Sequence, residues 1–244
     1  PSFNFLEGNV FFKFLHDSLV ALIFLSLSVK HLKKDDILFC GTNPSFLFLL
    51  LGLLKMLKRF KWVTLVHDIF PENTISAGIL KKDSFTYNFL LKLSNISFQK
   101  NDEIICIGRD MKEVLNKKVK NLSKINYIPN FSPSFELSVD PNKEKRNKYI
   151  TFTYFGNLGP LQGVDNLLDA FASVKSKNAR FIFSGSGIKA KMVEEFCLKK
   201  DRMEFLSPSM FHEKEKILSQ GDIAIIPLTK GMYGLAVPSK AYFS

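Results

Sequence analysis

Tyr149–Phe171 reads YITFTYFGNLGPLQGVDNLLDAF. An apolar run from Ile150 to Phe155 stops at a loop with glycines at 156, 159 and 163. A helical pattern follows, with Val164, Leu167, Leu168, Phe171 and Val174 on one face. Strand, glycine loop and helix in this order aim a helix N-terminus at an anion. A second such unit, FIFSGSGIKAKMVEEF, begins at Phe181. Two in succession predict a nucleotide-handling α/β domain.

Outward from this stretch, strands and helices alternate. On the C-terminal side the pattern predicts a helix over 165–175, a strand over 180–184, a helix over 188–199, a strand over 203–206, a helix over 211–219 and a strand over 222–228. On the N-terminal side Val10–Leu32 reads as a helix and Asp36–Cys40 as a short buried strand. Pro44–Arg59 reads as a helix with Asn43 and Pro44 at its start, and Trp62–Val66 as a strand leading into a loop, His67–Gly78. Asp83–Phe98 reads as a helix with Phe85, Phe89, Leu90 and Leu93 at helical spacing. A strand at Glu103–Ile107, a helix at Asp110–Val119 and a strand at Ile125–Ile128 complete this half. All-apolar strands separated by helices imply parallel sheets covered on both faces. Pro129–Asn147, with three prolines and the charged run Lys143–Arg146, breaks the alternation and marks a boundary. The expected organisation is two doubly wound α/β domains, 1–135 and 136–244, with a ligand cleft between them.

The chain has 34 basic and 23 acidic residues in 244, a net charge of +11. That balance suits anionic partners, namely nucleotide phosphates or a membrane surface. Nucleic acid is not expected, because the lysines do not interleave with aromatics and no nucleic-acid-binding signature occurs. Cys40, Cys106 and Cys197 are far apart in apolar sequence and read as buried reduced thiols, which favours the cytosol. Neither they nor the scattered histidines have metal-ligand spacing, so no metal site is expected. The apolar runs Leu19–Val29 and Phe46–Leu54 are shorter than the ~20 residues of a spanning helix. They read as core helices, or as surface helices lying on a bilayer, with Lys30, Lys33, Lys34, Lys55, Lys58, Arg59 and Lys61 just beyond them. The first residue is not Met and the last lies in a helix start, so the chain reads as a fragment cut at both ends.

Three segments carry candidate chemistry. In the first glycine loop Gly156 and Gly159 allow backbone N–H groups to approach an anion. Gly185 and Gly187 stand in the same context one unit later. After the strand ending at Val66, His67 is suited to a sugar hydroxyl or phosphate, while Asp68 and Glu72 either accept from hydroxyls or cap the loop. Near the end Pro238 fits a first helical turn, with Ser239 beside it and Lys240 within reach of a phosphate.

Taken in order, VHDIFPE, IPN at 128–130, YFGNLGPLQGVDNLLDAF, FSGSG, LSQGDIAIIPL and GLAVPSKAY resemble the family-four glycosyltransferases. The likeness is to the bacterial branch that assembles O-antigen, capsule and exopolysaccharide. The resemblance implies a GT-B fold, with two Rossmann-like domains facing a cleft. It further implies retaining transfer from a nucleotide-diphosphate sugar, a UDP-sugar by expectation, to a lipid-linked or saccharide acceptor, without a bound metal or other cofactor. It puts Gly156, Asn157, Gly159 and Gln162 beside the diphosphate and Gly185 and Gly187 near the nucleotide. Ser239 and Lys240 face the phosphates, and His67, with Asp68 and Glu72, lies on the sugar and acceptor side. His67 and Lys240 are the expected catalytic residues. The implied place is the cytoplasmic face of the plasma membrane, as a peripheral protein.

The chain departs from the family's pattern in two places. Where many relatives carry an Arg and a Lys around the first glycine loop it has Asn157 and Gln162, which makes Lys240 the expected cation on the leaving group. Where many carry a pair of glutamates it has Leu235 and Phe243. Two other classes compete. A nucleotide-sugar epimerase or oxidoreductase would show a G-x-G-x-x-G loop, and Gly156–Gly159 lacks that spacing. A catalytically silent relative would bind nucleotide, membrane or a partner enzyme without turnover.

Overall fold

The computed structural model describes residues 10–131, 149–206, 217 and 219–242. It divides into two compact units, Pro1–Asn130 with Lys230–Val237, and Phe131–Thr229 with Pro238–Ser244. Among the described residues each is an α/β unit around a four-stranded, wholly parallel sheet.

In the first unit helix α1 (Val10–His31) precedes β1 (Ile37–Gly41), α2 (Ser45–Leu57) and β2 (Lys61–Val66). Then come α3 (Glu72–Ser76), α4 (Phe85–Lys100), β3 (Glu103–Cys106), α5 (Arg109–Asn116) and β4 (Ile125–Tyr127). The strands lie in chain order, β1-β2-β3-β4. The span expected as a loop after β2 contains the short helix α3. In α4 the apolar residues at helical spacing are not all buried. Phe85 and Phe89 are exposed, whereas Tyr87, Ser94, Ser97 and Phe98 are buried. The two serines act as small residues there. A Cβ on Gly52 of α2 would lie 2.0 Å from Ser97 Oγ, so the two helices approach closely at that point. Phe48, Trp62 and Phe98 meet beside it, with ring centres 4.6–5.3 Å apart. Truncating an aromatic in such a cluster costs about 3–5 kcal/mol.

The second unit runs β5 (Ile150–Phe155), α6 (Val164–Ser173), β6 (Ala179–Ser184), α7 (Ala190–Cys197), β7 (Met203–Leu206) and β8 (Ile223–Ala224). Its sheet order is β7-β6-β5-β8. Val164 and Leu168 of α6 are buried, and Leu167, Phe171 and Val174 pack against the same core. Phe171 stacks on Phe181 with ring centres 4.0 Å apart. The expected strand over 222–228 is only two residues long. Asp222 and Ile225 donate to Thr151 and Thr153 of β5, and Pro227 has no N–H with which to continue the ladder. Most of the expected helix over 211–219 and most of the boundary segment lie outside the described residues.

Cys106 and Cys197 are buried, Cys40 is half-buried, and all three are free thiols. Among the described residues no helix is long and apolar enough to cross a membrane. Helix α1 nonetheless exposes Leu15, Leu19, Leu22, Ile23 and Leu27, each about half accessible.

Candidate functional site

In the second unit the strand order reverses between β5 and β8. Open α/β sheets bind ligands beyond the carboxyl ends of the strands at such a reversal. β5 ends there in the loop Gly156–Gly163, and β6 in Gly185–Gly187. The two loops are joined by backbone hydrogen bonds, Gly156 N–H to Ser184 O at 2.8 Å, Leu158 N–H to Ser186 O at 2.7 Å and Lys189 N–H to Leu158 O at 3.0 Å. This close approach requires glycine. A Cβ on Gly185 would lie 1.8 Å from Gly156 O, and one on Gly187, at φ +139°, 2.6 Å from Leu158 O. The amides of Gly156 and Leu158 are therefore used inside the protein. The expected cradle is narrower than the sequence suggests.

Lys240 lies at this loop. It sits on a 3₁₀ turn, Ser239–Tyr242, and its stem runs so close to Gly156 that a Cβ there would stand 2.5 Å from Lys240 Cε. Its Nζ donates to the Tyr154 hydroxyl at 2.6 Å and lies 3.9 Å from the centre of that ring. Burial lowers the Lys240 pKa to about 8 and raises that of Tyr154. Gly159 stands beside Gln162 and Asn157, and Gln162 Oε1 is buried without a hydrogen-bond partner among the described residues. Ser239 is exposed. Gly156, Asn157, Gly159, Gln162, Gly185, Gly187 and Lys240 thus gather at one end of the sheet. Tyr154 was not singled out from the sequence. The available signal was a phenol at the inner end of an apolar strand, where its hydroxyl needs a partner.

In the first unit His67 is exposed directly after β2. Asp68 is held by Thr42 Oγ1 at 3.0 Å and by Asn73 Nδ2 at 3.2 Å, and Thr42 Oγ1 accepts from the N–H groups of His67 and Asp68. Burial raises the Asp68 pKa against these hydrogen bonds and the charge of His67. Glu72 is taken up by Lys118, at 2.5 Å. Lys118 also donates to Asn95 at 2.8 Å, and burial lowers its pKa against the pull of Glu72. Of these three, His67 is the side chain presented to solvent.

The segment Lys230–Val237 groups with this unit although it follows β8, where the sequence pattern had placed it in the second half. Leu235 O accepts from Ile69 N–H at 2.8 Å, Ala236 bridges Asp68, and Gly234 N–H donates to Asp110 Oδ2 at 2.9 Å. Met232 and Leu235 are buried. Among the described residues no group of three or more His, Cys, Asp or Glu side chains is placed to hold a metal ion.

A parallel sheet with its reversal at a glycine loop, closed by a half-buried lysine, belongs to the Rossmann-like class of α/β proteins. Within that class the relationships are specific. Residues 149–239 match the family model of Glycosyl transferases group 1. The chain is 36% identical over 234 residues to a probable glycosyltransferase, WbjE, of Pseudomonas aeruginosa, which covers 92% of this chain and 58% of that protein. Among solved structures it resembles the catalytic domain of starch synthase IV from Arabidopsis thaliana bound to ADP and acarbose. There the TM-score is 0.54 and the identity 16%, over 85% of this chain and 55% of that one. It also resembles Anabaena Alr3699/HepE in complex with UDP and glucose, with TM-score 0.56 and 13% identity, over 84% and 54%. These likenesses show the parallel α/β fold of GT-B glycosyltransferases. The chain spans little more than half the length of these relatives.

Proposed function

We propose that the protein is a glycosyltransferase that moves a sugar from a nucleotide-diphosphate sugar, a UDP-sugar in the first instance, to a lipid-linked or saccharide acceptor of surface polysaccharide. The observation that carries this reading is the position of Lys240 against Gly156, at the carboxyl end of β5. A leaving diphosphate there meets a cation and the N-terminus of α6, both of which favour developing negative charge. The match of 149–239 to Glycosyl transferases group 1 supports the same chemistry.

In this reading the nucleotide lies over the loops after β5 and β6, and Asn157, Gln162 and Ser239 supply polar contacts to the phosphates. Lys240 stabilises the departing diphosphate. The acceptor hydroxyl attacks the anomeric carbon from the face that the diphosphate leaves, so configuration is retained, and a phosphate oxygen takes its proton. His67 contacts the transferred sugar. Asp68 and Glu72 act through the fold, by holding the loop that carries His67. No bound metal takes part. The exposed apolar residues of α1 and the lysines that follow it hold the protein on the cytoplasmic, anionic face of a membrane.

The test is a thermal-shift panel of UDP, GDP and their sugars on the full-length protein, followed by transfer assays with the ligand that stabilises most. Stabilisation by none of them would overturn the reading. Binding without turnover, unchanged in Lys240→Ala, would point to a catalytically silent relative.

A further inference from the structure

Tyr154 is the last-but-one residue of β5, and its side chain is fully buried. Its hydroxyl donates to the carbonyl oxygen of Asn157, three residues on. A phenol whose proton is directed in this way offers only oxygen lone pairs to its other neighbours. Lys240 meets those lone pairs at 2.6 Å, and the negative face of the ring draws the same cation to 3.9 Å. The lysine stem also fills the space that a Cβ at Gly156 would occupy. Phe183 packs on the Tyr154 ring, with centres 6.1 Å apart, and keeps it in place.

We propose that Tyr154 is the positioning residue of Lys240: together with Gly156 it forms a slot that holds the ammonium at the glycine loop, from which a diphosphate oxygen takes it over. The proposal rests on the reading of Lys240 as the cation that faces the phosphates. A free lysine side chain loses much rotamer freedom when a ligand fixes it, and a slot that orders it beforehand removes most of that cost. The slot also sets the protonation of the lysine. Burial brings its pKa to about 8, so at neutral pH most molecules carry the charge, while the phenol keeps its proton. Among the described residues Tyr154 faces Lys240 from β5, and Tyr242 shares its 3₁₀ turn.

The experiment is competitive acetylation of the full-length protein with acetic anhydride across pH, with the Lys240 peptide read by mass spectrometry, with and without UDP. The wild type should titrate near pH 8 and shift upward by about one unit with saturating UDP, because an anion beside the ammonium favours its charged form. Tyr154→Phe keeps the ring and removes the oxygen that accepts from the ammonium. Its Lys240 midpoint should fall by about half a unit or more, and UDP should bind about tenfold more weakly. Gly156→Ala pushes the stem out of the slot, so its midpoint should move the other way, toward the ordinary lysine value. This variant is read if Tyr154→Phe proves unstable in thermal melts.

A Lys240 midpoint equal to wild type in both variants overturns the slot. A midpoint that moves in the variants while UDP leaves wild-type Lys240 unshifted sustains the slot and overturns the phosphate-facing reading beneath it.

Discussion

Gly185 stands directly against the backbone of Gly156. A single added carbon on the first would lie 1.8 Å from the carbonyl oxygen of the second. Since the obstructing atom is backbone, no side-chain rotation relieves it. Gly185→Ala should therefore separate the two loops and destabilise the second unit by about 2–3 kcal/mol. Chemical denaturation of the variant measures this. Stability within error of wild type would mean that the loops are not zipped as described.

Lys240→Ala should reduce transfer by roughly 10²–10³-fold, the range for loss of one group that stabilises developing charge. The pH dependence carries a sign. The Lys240 pKa is lowered from 10.5 to about 8 by burial, so transfer at sub-saturating donor, which reports the free enzyme, should decline as pH rises through about 8 and the ammonium is lost. Stability moves the other way. Between about pH 8 and 10.5 the unfolded chain binds more protons at this residue than the folded one, so its contribution to stability rises with pH across that window. Rate profiles and melts over the same pH range check both slopes, and both should vanish in Lys240→Met.

Glu72 and Lys118 form a largely buried pair. Removing one partner strands the other, so Lys118→Met alone should cost about 3 kcal/mol or more, whereas Glu72→Leu with Lys118→Met should recover much of it. A double-mutant cycle by denaturant titration decides the matter. Equal losses in the single and double variants would count against the coupling.

Helix α1 presents Leu15, Leu19, Leu22 and Ile23 to solvent, and Lys30, Lys33 and Lys34 follow. Co-flotation with vesicles containing phosphatidylglycerol should be strong, should weaken with salt, and should drop severalfold in Leu19→Asp with Ile23→Asp. Equal flotation with purely zwitterionic vesicles would remove the electrostatic part of this expectation.

Much of the second unit was legible because its signals are local. The apolar run 150–155, the glycines and the spacing of Val164, Leu168 and Phe171 lie within one strand-loop-helix unit, and each appears in its expected place. The buried face of α4 is hard to read from the sequence, because Ser94 and Ser97 lie in it for their small size beside α2. The least legible contacts join residues far apart in sequence. Asp110 and Gly234 are 124 positions apart, and Tyr154 and Lys240 are 86. No periodicity encodes such pairs. Lys240 is expected among the phosphate-facing residues from its place after Pro238 and from the resemblance, whereas nothing local marks the tyrosine that holds it.

The chain returns at Lys230–Val237 to finish a unit that it began more than a hundred residues earlier. The unit boundary is therefore not a place where the gene can be divided. A polypeptide ending at Asn130 would lack its own closing piece, leaving the Ile69 amide without Leu235 and the Asp110 carboxylate without Gly234. One that starts after the boundary would carry Met232 and Leu235 with no seat for either. Swapping halves between homologous proteins, a common route to new specificities, would succeed here only if residues 230–237 travelled with the N-terminal partner.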